Sequence, residues 1–381
     1  MMNRIYLDNA STTALSPEVF REMESALKEC YGNPSSIHGT GREAHRILDR
    51  ARKRVAAALG AAPQEIYFTS GGSESDNWAI KGAAFSRAGK GRHLITGAIE
   101  HHAVLNTCRW LEKQGFEVTF LPVDGEGRVD PDSVRKAIRP DTVLISVMTA
   151  NNEIGTLQPV AEIGEVAREH GILFHTDAVQ AIGAMKVDVG SLKADLLSLS
   201  AHKFHGPKGA GALYVRRGTK LDSLIHGGSQ ERGMRAGTEN VPAIAGMGIA
   251  AEAAAEDPEA RAGRIAVLRN LLIRGIQDRV PEAILNGSRT ERLPGNVHFT
   301  FPGVDGEALL LRLDLAGIAC SGGSACTSGS AEPSHVLAAI GQGPELSRGG
   351  LRMTIGDLNT EEEIREVLEI LPPIVRDLQR Q

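Results

Sequence analysis

Lys203 stands between His202 and His205 in "SAHKFHGPKGAG", directly after the apolar run "ADLLSLS". A lysine at the carboxyl mouth of a buried strand is costly to desolvate, so it is either solvated on a loop or put to use. Partly desolvated, such an amine loses its proton readily and forms a Schiff base with an aldehyde. In "FTSGGSESDNWAIKG", Gly71, Gly72 and Ser73 lie where a strand gives way to a helix. Backbone N–H groups at a helix start, with a hydroxyl beside them, make a phosphate cradle, although the same stretch also reads as a plain tight turn. The segment lacks the G-x-x-x-x-G-K pattern of a nucleotide triphosphate loop and the glycine spacing of a dinucleotide site, so a small phosphorylated cofactor fits better.

"FHTDAVQ" puts Asp177 and Gln180 just past another apolar run. A buried carboxylate needs a cationic or strong donor partner, and a protonated pyridine nitrogen is one; a lone Asp there is more often a helix cap. Cradle, aspartate and lysine together are the parts of a pyridoxal phosphate site. "GAIEHHAV" carries His101 and His102 at a further strand-to-helix junction. Either is a candidate acid–base group, a stacking ring or simply a cap. His202 with His205 makes a poor metal pair, having no third ligand or general-base Glu. Of the four cysteines, Cys30, Cys108, Cys320 and Cys326, no two form C-x-x-C. Three read as small hydrophobes, Cys320 at the end of "DLAGIA" among them. Cys326, in the glycine- and serine-rich "SGGSACTSGS", reads as a thiol displayed on a loop, a good swinging nucleophile.

These groups need a scaffold, and the middle of the chain supplies one. The runs "EIYFTS", "HLITGA", "VLISVM", "ILFHTDA", "DLLSLS" and "GALYVRR" alternate with amphipathic stretches, predicting an α/β fold with a mostly parallel sheet. In such sheets ligands bind beyond the carboxyl ends of the strands, where the polar residues cluster. Ser16 with Pro17, Asp130 with Pro131, and Thr360 with Glu363 mark helix starts. The last helix is expected to break or kink at Pro372. After about residue 250 the pattern changes to a smaller α+β unit. We expect a large domain over residues 16–250 and a small one over 1–15 and 251–381.

The 381 residues suit two domains, and 41% hydrophobic with 23% charged residues describes an ordinary globular chain. A net charge of −5 gives no global attraction for nucleic acid or an anionic membrane. "MMNRIYLDNA" enters a strand-like segment without the apolar run of a secretory signal, so a cytoplasmic location is expected. "VPAIAGMGIAA" is too short to span a bilayer and reads as a buried helix.

Motifs along nearly the whole chain resemble a known family. "YLDNASTT", "GNPSSIHGTGREA", "TSGGSESDNWAIKG", "EHHAV", "NNEIGTLQP", "HTDAVQA", "SAHKFHGPKG", "GGSQERGMRAGTENV", "SGGSACTSG" and "LRMTIG" occur in the order seen in cysteine desulfurases of the NifS/IscS type. These are pyridoxal phosphate enzymes of the class V aminotransferase family. The resemblance implies the aspartate aminotransferase-like fold (fold type I), with a mostly parallel seven-stranded sheet in the large domain. It implies that Lys203 holds the cofactor, Asp177 pairs with the ring nitrogen, Gln180 bonds the ring oxygen and His101 stacks on the ring. Gly72, Ser73, Ser200 and His202 match phosphate-binding positions. Thr238 matches a threonine that reaches the phosphate of the neighbouring subunit, implying a homodimer. Asn152 and Arg352 match residues holding the substrate carboxylate, with Asn152 also beside the cofactor. Cys326 matches the persulfide-forming cysteine, and is a candidate transient iron–sulfur ligand.

The implied reaction removes sulfur from L-cysteine, giving L-alanine and a persulfide on Cys326 that passes to an acceptor for iron–sulfur cluster assembly or thiolation. Lys203 then takes the Cα proton, and His101 manages a proton. Ser73 replaces a common threonine, Ser229 a glycine, "SGGSAC" has an extra glycine, and Asp357 stands where some relatives carry arginine. Competing readings are a selenocysteine lyase, an aminotransferase, or a scaffold that docks sulfur acceptors or a cluster. The thiol argues against transamination, and Lys203 with Asp177 against pure docking.

Overall fold

The computed structural model describes residues 4–323 and 334–380. The six apolar runs form strands Ile66–Thr69, His93–Gly97, Thr142–Ser146, Leu173–Asp177, Leu196–Ser200 and Gly211–Val215. A seventh strand, Glu117–Leu121, lies at one edge beside His93–Gly97, and Ile66–Thr69 lies at the other. Across the sheet the order is Ile66–Thr69, Gly211–Val215, Leu196–Ser200, Leu173–Asp177, Thr142–Ser146, His93–Gly97, Glu117–Leu121. Gly211–Val215 runs antiparallel to both neighbours, and every other pairing is parallel.

The inner strands are buried along their length, as a sheet covered on both faces requires. Successive side chains point to opposite faces, so Leu196 joins a core with Trp78, Leu94 and Leu144 while Leu197 joins another with Val55, Phe68 and Met247. Helix Val241–Ala255 is the buried helix foreseen for "VPAIAGMGIAA", with Met247 fully enclosed.

A three-stranded antiparallel sheet follows later in the chain, with Asn296–Thr300 between Gly350–Thr354 and Ile284–Leu285. Its core joins Phe299 and Met353 to Leu272 of helix Pro258–Arg279 and Leu368 of helix Glu361–Gln379. The N-terminal strand Ile5–Tyr6 pairs in parallel with Ile318–Ala319, and Asp8 bridges to Thr354. The start of the chain is thereby tied to its end, and residues 8–13 are carried across to the large sheet.

Side-chain caps form at Ser16, Asp130 and Thr360, and Glu363 completes the capping box. The expected break at Pro372 does not occur. Glu361–Gln379 runs on as one helix through Pro372 and Pro373. Two prolines remove backbone donors, but Leu368, Leu371, Pro372 and Val375 are all buried, and packing of that face outweighs the lost bonds. Among the described residues no helix is long and apolar enough to cross a membrane.

Candidate functional site

Four parallel strands and the edge strand Ile66–Thr69 deliver chemistry at the same end of the sheet. Ile66–Thr69 leads to Gly72 and Ser73, His93–Gly97 to His101, and Thr142–Ser146 to Asn152. Leu173–Asp177 ends on Asp177 with Gln180 just beyond, and Leu196–Ser200 ends on Ser200 with His202 and Lys203 in the next turn. These residues line one cleft of about 180 Å³ together with Arg352 from the second sheet and Ala10 and Ser11 from the N-terminal segment. The cleft thus gathers the site residues expected from the sequence, with two exceptions. Thr238 is exposed and lies outside the lining. Cys326 lies outside the described residues.

The N-terminal segment closes one side of the cleft by backbone contacts. Lys203 Nζ donates to the carbonyl oxygens of Ala10 and Ser11 at 2.5 and 2.8 Å, and Gln180 Nε2 donates to that of Ala10 at 2.9 Å. His202 Nδ1 is 3.2 Å from the Thr12 hydroxyl. His205 goes elsewhere, to the Ala14 carbonyl and to Asp357 at 3.4 Å, so the two histidines do not converge.

Helix Gly72–Ser86 begins in the cleft, and its N-cap, Gly71, has no side chain to satisfy the first N–H groups. Gly71 takes φ 154, a conformation that is essentially glycine's alone. A Cβ on Gly72 would sit 2.8 Å from Val179 Cγ2, so any larger residue would fill the space over the helix start. Uncapped N–H groups, the Ser73, Ser200 and His202 side chains, and the positive end of the helix dipole suit a bound phosphate.

Asp177 is buried, with Oδ1 accepting the Val179 N–H at 2.9 Å. Burial pushes its carboxyl up to about 6, while the Val179 N–H and the Lys203 charge pull it back. It therefore both caps the following turn and holds a charge in the cleft, an acceptor suited to a cationic ring nitrogen. His101 is the N-cap of helix His102–Glu112, its Nδ1 accepting the Ala103 N–H at 3.1 Å. That bond places the proton of the neutral ring on Nε2. Burial and then the Lys203 charge lower the imidazole to about 4, so it is neutral near pH 7.

Arg352 is 1% exposed on strand Gly350–Thr354. Its Nη2 donates to Asp8 Oδ1 at 3.0 Å and Ser11 Oγ at 2.7 Å, and Nη1 to the Asn152 carbonyl at 2.8 Å. Among the described residues its Nε has no partner, leaving a buried cation with donor capacity for a carboxylate. Sequence reasoning missed Ala10, Ser11, Asp76, Met148 and Val179 in the lining. Ala10 acts through its backbone, which carries no residue signature, and Ser11 through both its carbonyl and the hydroxyl that meets Arg352; Asp76 sat inside the quoted "GGSESDNWA" as one acid among two.

The chain matches the family described as Aminotransferase class-V over residues 5–367. The cysteine desulfurase IscS of Methanosarcina thermophila is 56% identical over 374 residues, covering 98% of this chain and 92% of that one. A solved NifS-like protein superposes with a TM-score of 0.92 at 40% identity, covering 98% of this chain and all of that chain (100%). A structure described as SspA in complex with cysteine gives a TM-score of 0.83 at 39% identity, over 93% of this chain and 100% of that one. The chain belongs to the class-V aminotransferase family, in the branch whose members are named cysteine desulfurases.

Proposed function

We propose that this protein is a pyridoxal phosphate-dependent cysteine desulfurase, converting L-cysteine to L-alanine with transfer of the sulfur to Cys326. The observation that carries the reading is the convergence of Lys203, Asp177 and the uncapped start of helix Gly72–Ser86 on one cleft that also contains the Arg352 guanidinium. When bound, pyridoxal phosphate supplies an aldehyde for an amine and an electron sink for the substrate Cα. Lys203 is the amine that holds it and the base for the Cα proton. Gly72, Ser73, Ser200 and His202 hold the phosphate, Asp177 the ring nitrogen and Gln180 the ring oxygen.

His101, a neutral imidazole in the cleft lining, would lie beside the ring and carry a proton at Nε2. Arg352 and Asn152 orient the substrate carboxylate. The Cys326 thiolate attacks the substrate sulfur: an S–S bond forms, the C–S bond breaks, and alanine leaves. Thr238, exposed in one chain, serves the cleft of a second copy in a homodimer. The persulfide passes to an acceptor protein, such as an iron–sulfur scaffold, in the cytoplasm, with no role for nucleic acid or membrane. Residues 16–250 form the cofactor domain, and 1–15 with 251–381 form a second domain bearing Arg352 and the cysteine loop.

Single turnover with L-cysteine, wild type beside Cys326→Ala, tests this. Visible absorption, alanine release and protein-bound persulfide are recorded. The wild type should be yellow and yield both products, and the variant should form cofactor adducts but no persulfide. A protein that cannot be loaded with pyridoxal phosphate would sink the reading.

A further inference from the structure

His175 and Asp177 are two residues apart on one strand, so their side chains share a face of the sheet. Helix Gly72–Ser86 covers that face and brings Asp76 to the cleft lining. His175 is fully enclosed, with Nδ1 2.8 Å from Ser146 Oγ and Nε2 3.0 Å from Ser198 Oγ. Burial pushes this imidazole down to about 3, so it offers no positive charge to its surroundings. Asp76 is 1% exposed; its Oδ1 lies 3.7 Å from His175 Nε2 and has no hydrogen-bond partner among the described residues. The ionisable groups that act on it are Asp177, from the neighbouring strand, and Glu100, from the turn before helix His102–Glu112, and both are acidic.

Two carboxyls enclosed together do not both ionise unless a cation compensates them. The geometry decides which keeps the proton. Asp177 accepts the Val179 N–H and feels Lys203, and both favour its charged form. At Asp76 the Ser198 hydroxyl favours the charged form, but against it stand burial, an orphan oxygen, a neutral imidazole and the acidic Asp177 and Glu100.

We propose that Asp76 is a positioning residue: an uncharged acid seated against His175 and Ser198, which leaves Asp177 the single anion of the pair in the cleft lining that would meet the cofactor. This rests on the reading that pyridoxal phosphate occupies the cleft. The role is distinct from that of Asp177, since it requires Asp76 to be neutral in the working enzyme. An amide of the same shape then substitutes for it, and a hydrocarbon does not.

The test compares wild type, Asp76→Asn and Asp76→Leu as full-length proteins supplied with pyridoxal phosphate. Infrared difference spectra at pH 8 should show a protonated-carboxyl stretch in the wild type that Asp76→Asn lacks. Cofactor affinity, and the pH midpoint of the visible absorption, should stay within about twofold of wild type in Asp76→Asn. Asp76→Leu should lose about tenfold in affinity, as expected when a buried polar partner is removed, and its midpoint should move. If the acid band is unchanged in Asp76→Asn, or that variant shifts the midpoint as Leu does, Asp76 is charged and the proposal fails. Should Asp76→Leu not fold, the wild type and Asp76→Asn still decide it. A wild type that takes up no cofactor overturns the functional reading and the positioning role with it, while the infrared band reports separately on the proton.

Discussion

Asp177 sets two demands against each other, and replacing it with asparagine separates them. The carboxyl is moved from its ordinary 3.8 to about 6, chiefly by burial. That displacement corresponds to about 3 kcal/mol favouring the neutral form. Because the folded-state value is raised, its contribution to stability is fully present below the ordinary value and is lost as pH climbs through about 6. The cofactor-free wild type at pH 8 therefore carries a buried charge that the Val179 N–H and Lys203 only partly offset. Asp177→Asn removes it and should be more stable there by up to about 3 kcal/mol, roughly 4 °C for a chain of this size. The gain should shrink as pH falls below 6 and vanish near pH 4. With cofactor the order reverses: the ring cation compensates the Asp177 carboxylate, whereas the replacement amide offers it no charge, so affinity in the variant should fall on the order of 100-fold. Thermal denaturation of cofactor-stripped proteins between pH 5 and 8, with cofactor titration at pH 8, measures both. No gain at pH 8, or an equal gain at pH 5 and pH 8, would refute the charge argument.

Arg352→Lys should raise KM for L-cysteine about 10- to 100-fold with a smaller change in kcat, because an ammonium cannot keep the Asp8, Ser11 and Asn152 contacts and still fork to a carboxylate. His101→Gln should lower kcat yet leave the acid side of the pH–rate profile in place above pH 5.5, since the imidazole at about 4 is already neutral there; loss of a limb near pH 6 would contradict this. Glu231→Gln takes the anion from Arg52, in a pair whose side chains are 2% and 11% exposed, and leaves one amide oxygen for the Arg52 guanidinium and the Phe68 N–H to share. Denaturant unfolding should show a loss of about 3–5 kcal/mol, the more so because Glu231 and Arg232 are held at positive φ.

The inner strands were legible because a strand enclosed on both faces must be apolar along its length, as "LLSLS" and "TVLIS" nearly are. Ile66–Thr69 lies at an edge yet is almost as deeply buried, and it showed for the same reason. Glu117–Leu121 escaped notice because it keeps one side in solvent and its residues are mostly half-exposed. The helix does not break at Pro372: proline's local penalty is visible in sequence, whereas the buried face that offsets it exists only after Leu368 and Leu371 meet the second sheet. At the site, Lys203, Asp177 and the Gly72 turn were legible from residue type at strand ends. Asp76 was not, because a helical acid ordinarily faces solvent, and only the packed structure shows it enclosed at the level of His175.

The N-terminal segment explains how such distant parts act together. Asp8 and Ser11 receive the Arg352 guanidinium, while the carbonyls of Ala10 and Ser11 receive Lys203 Nζ. An ammonium satisfies both carbonyls at once. A nitrogen committed to an aldehyde retains at most one N–H, so at least one of those two bonds is given up when the lysine is engaged. The loss falls on the segment that also steadies Arg352 and receives Gln180 at Ala10. On the proposed function, the amine that would hold the cofactor and the arginine that would meet the substrate carboxylate rest on the same short stretch of backbone, which is tied down by the pairing of the first strand with Ile318–Ala319 and the bridge from Asp8 to Thr354.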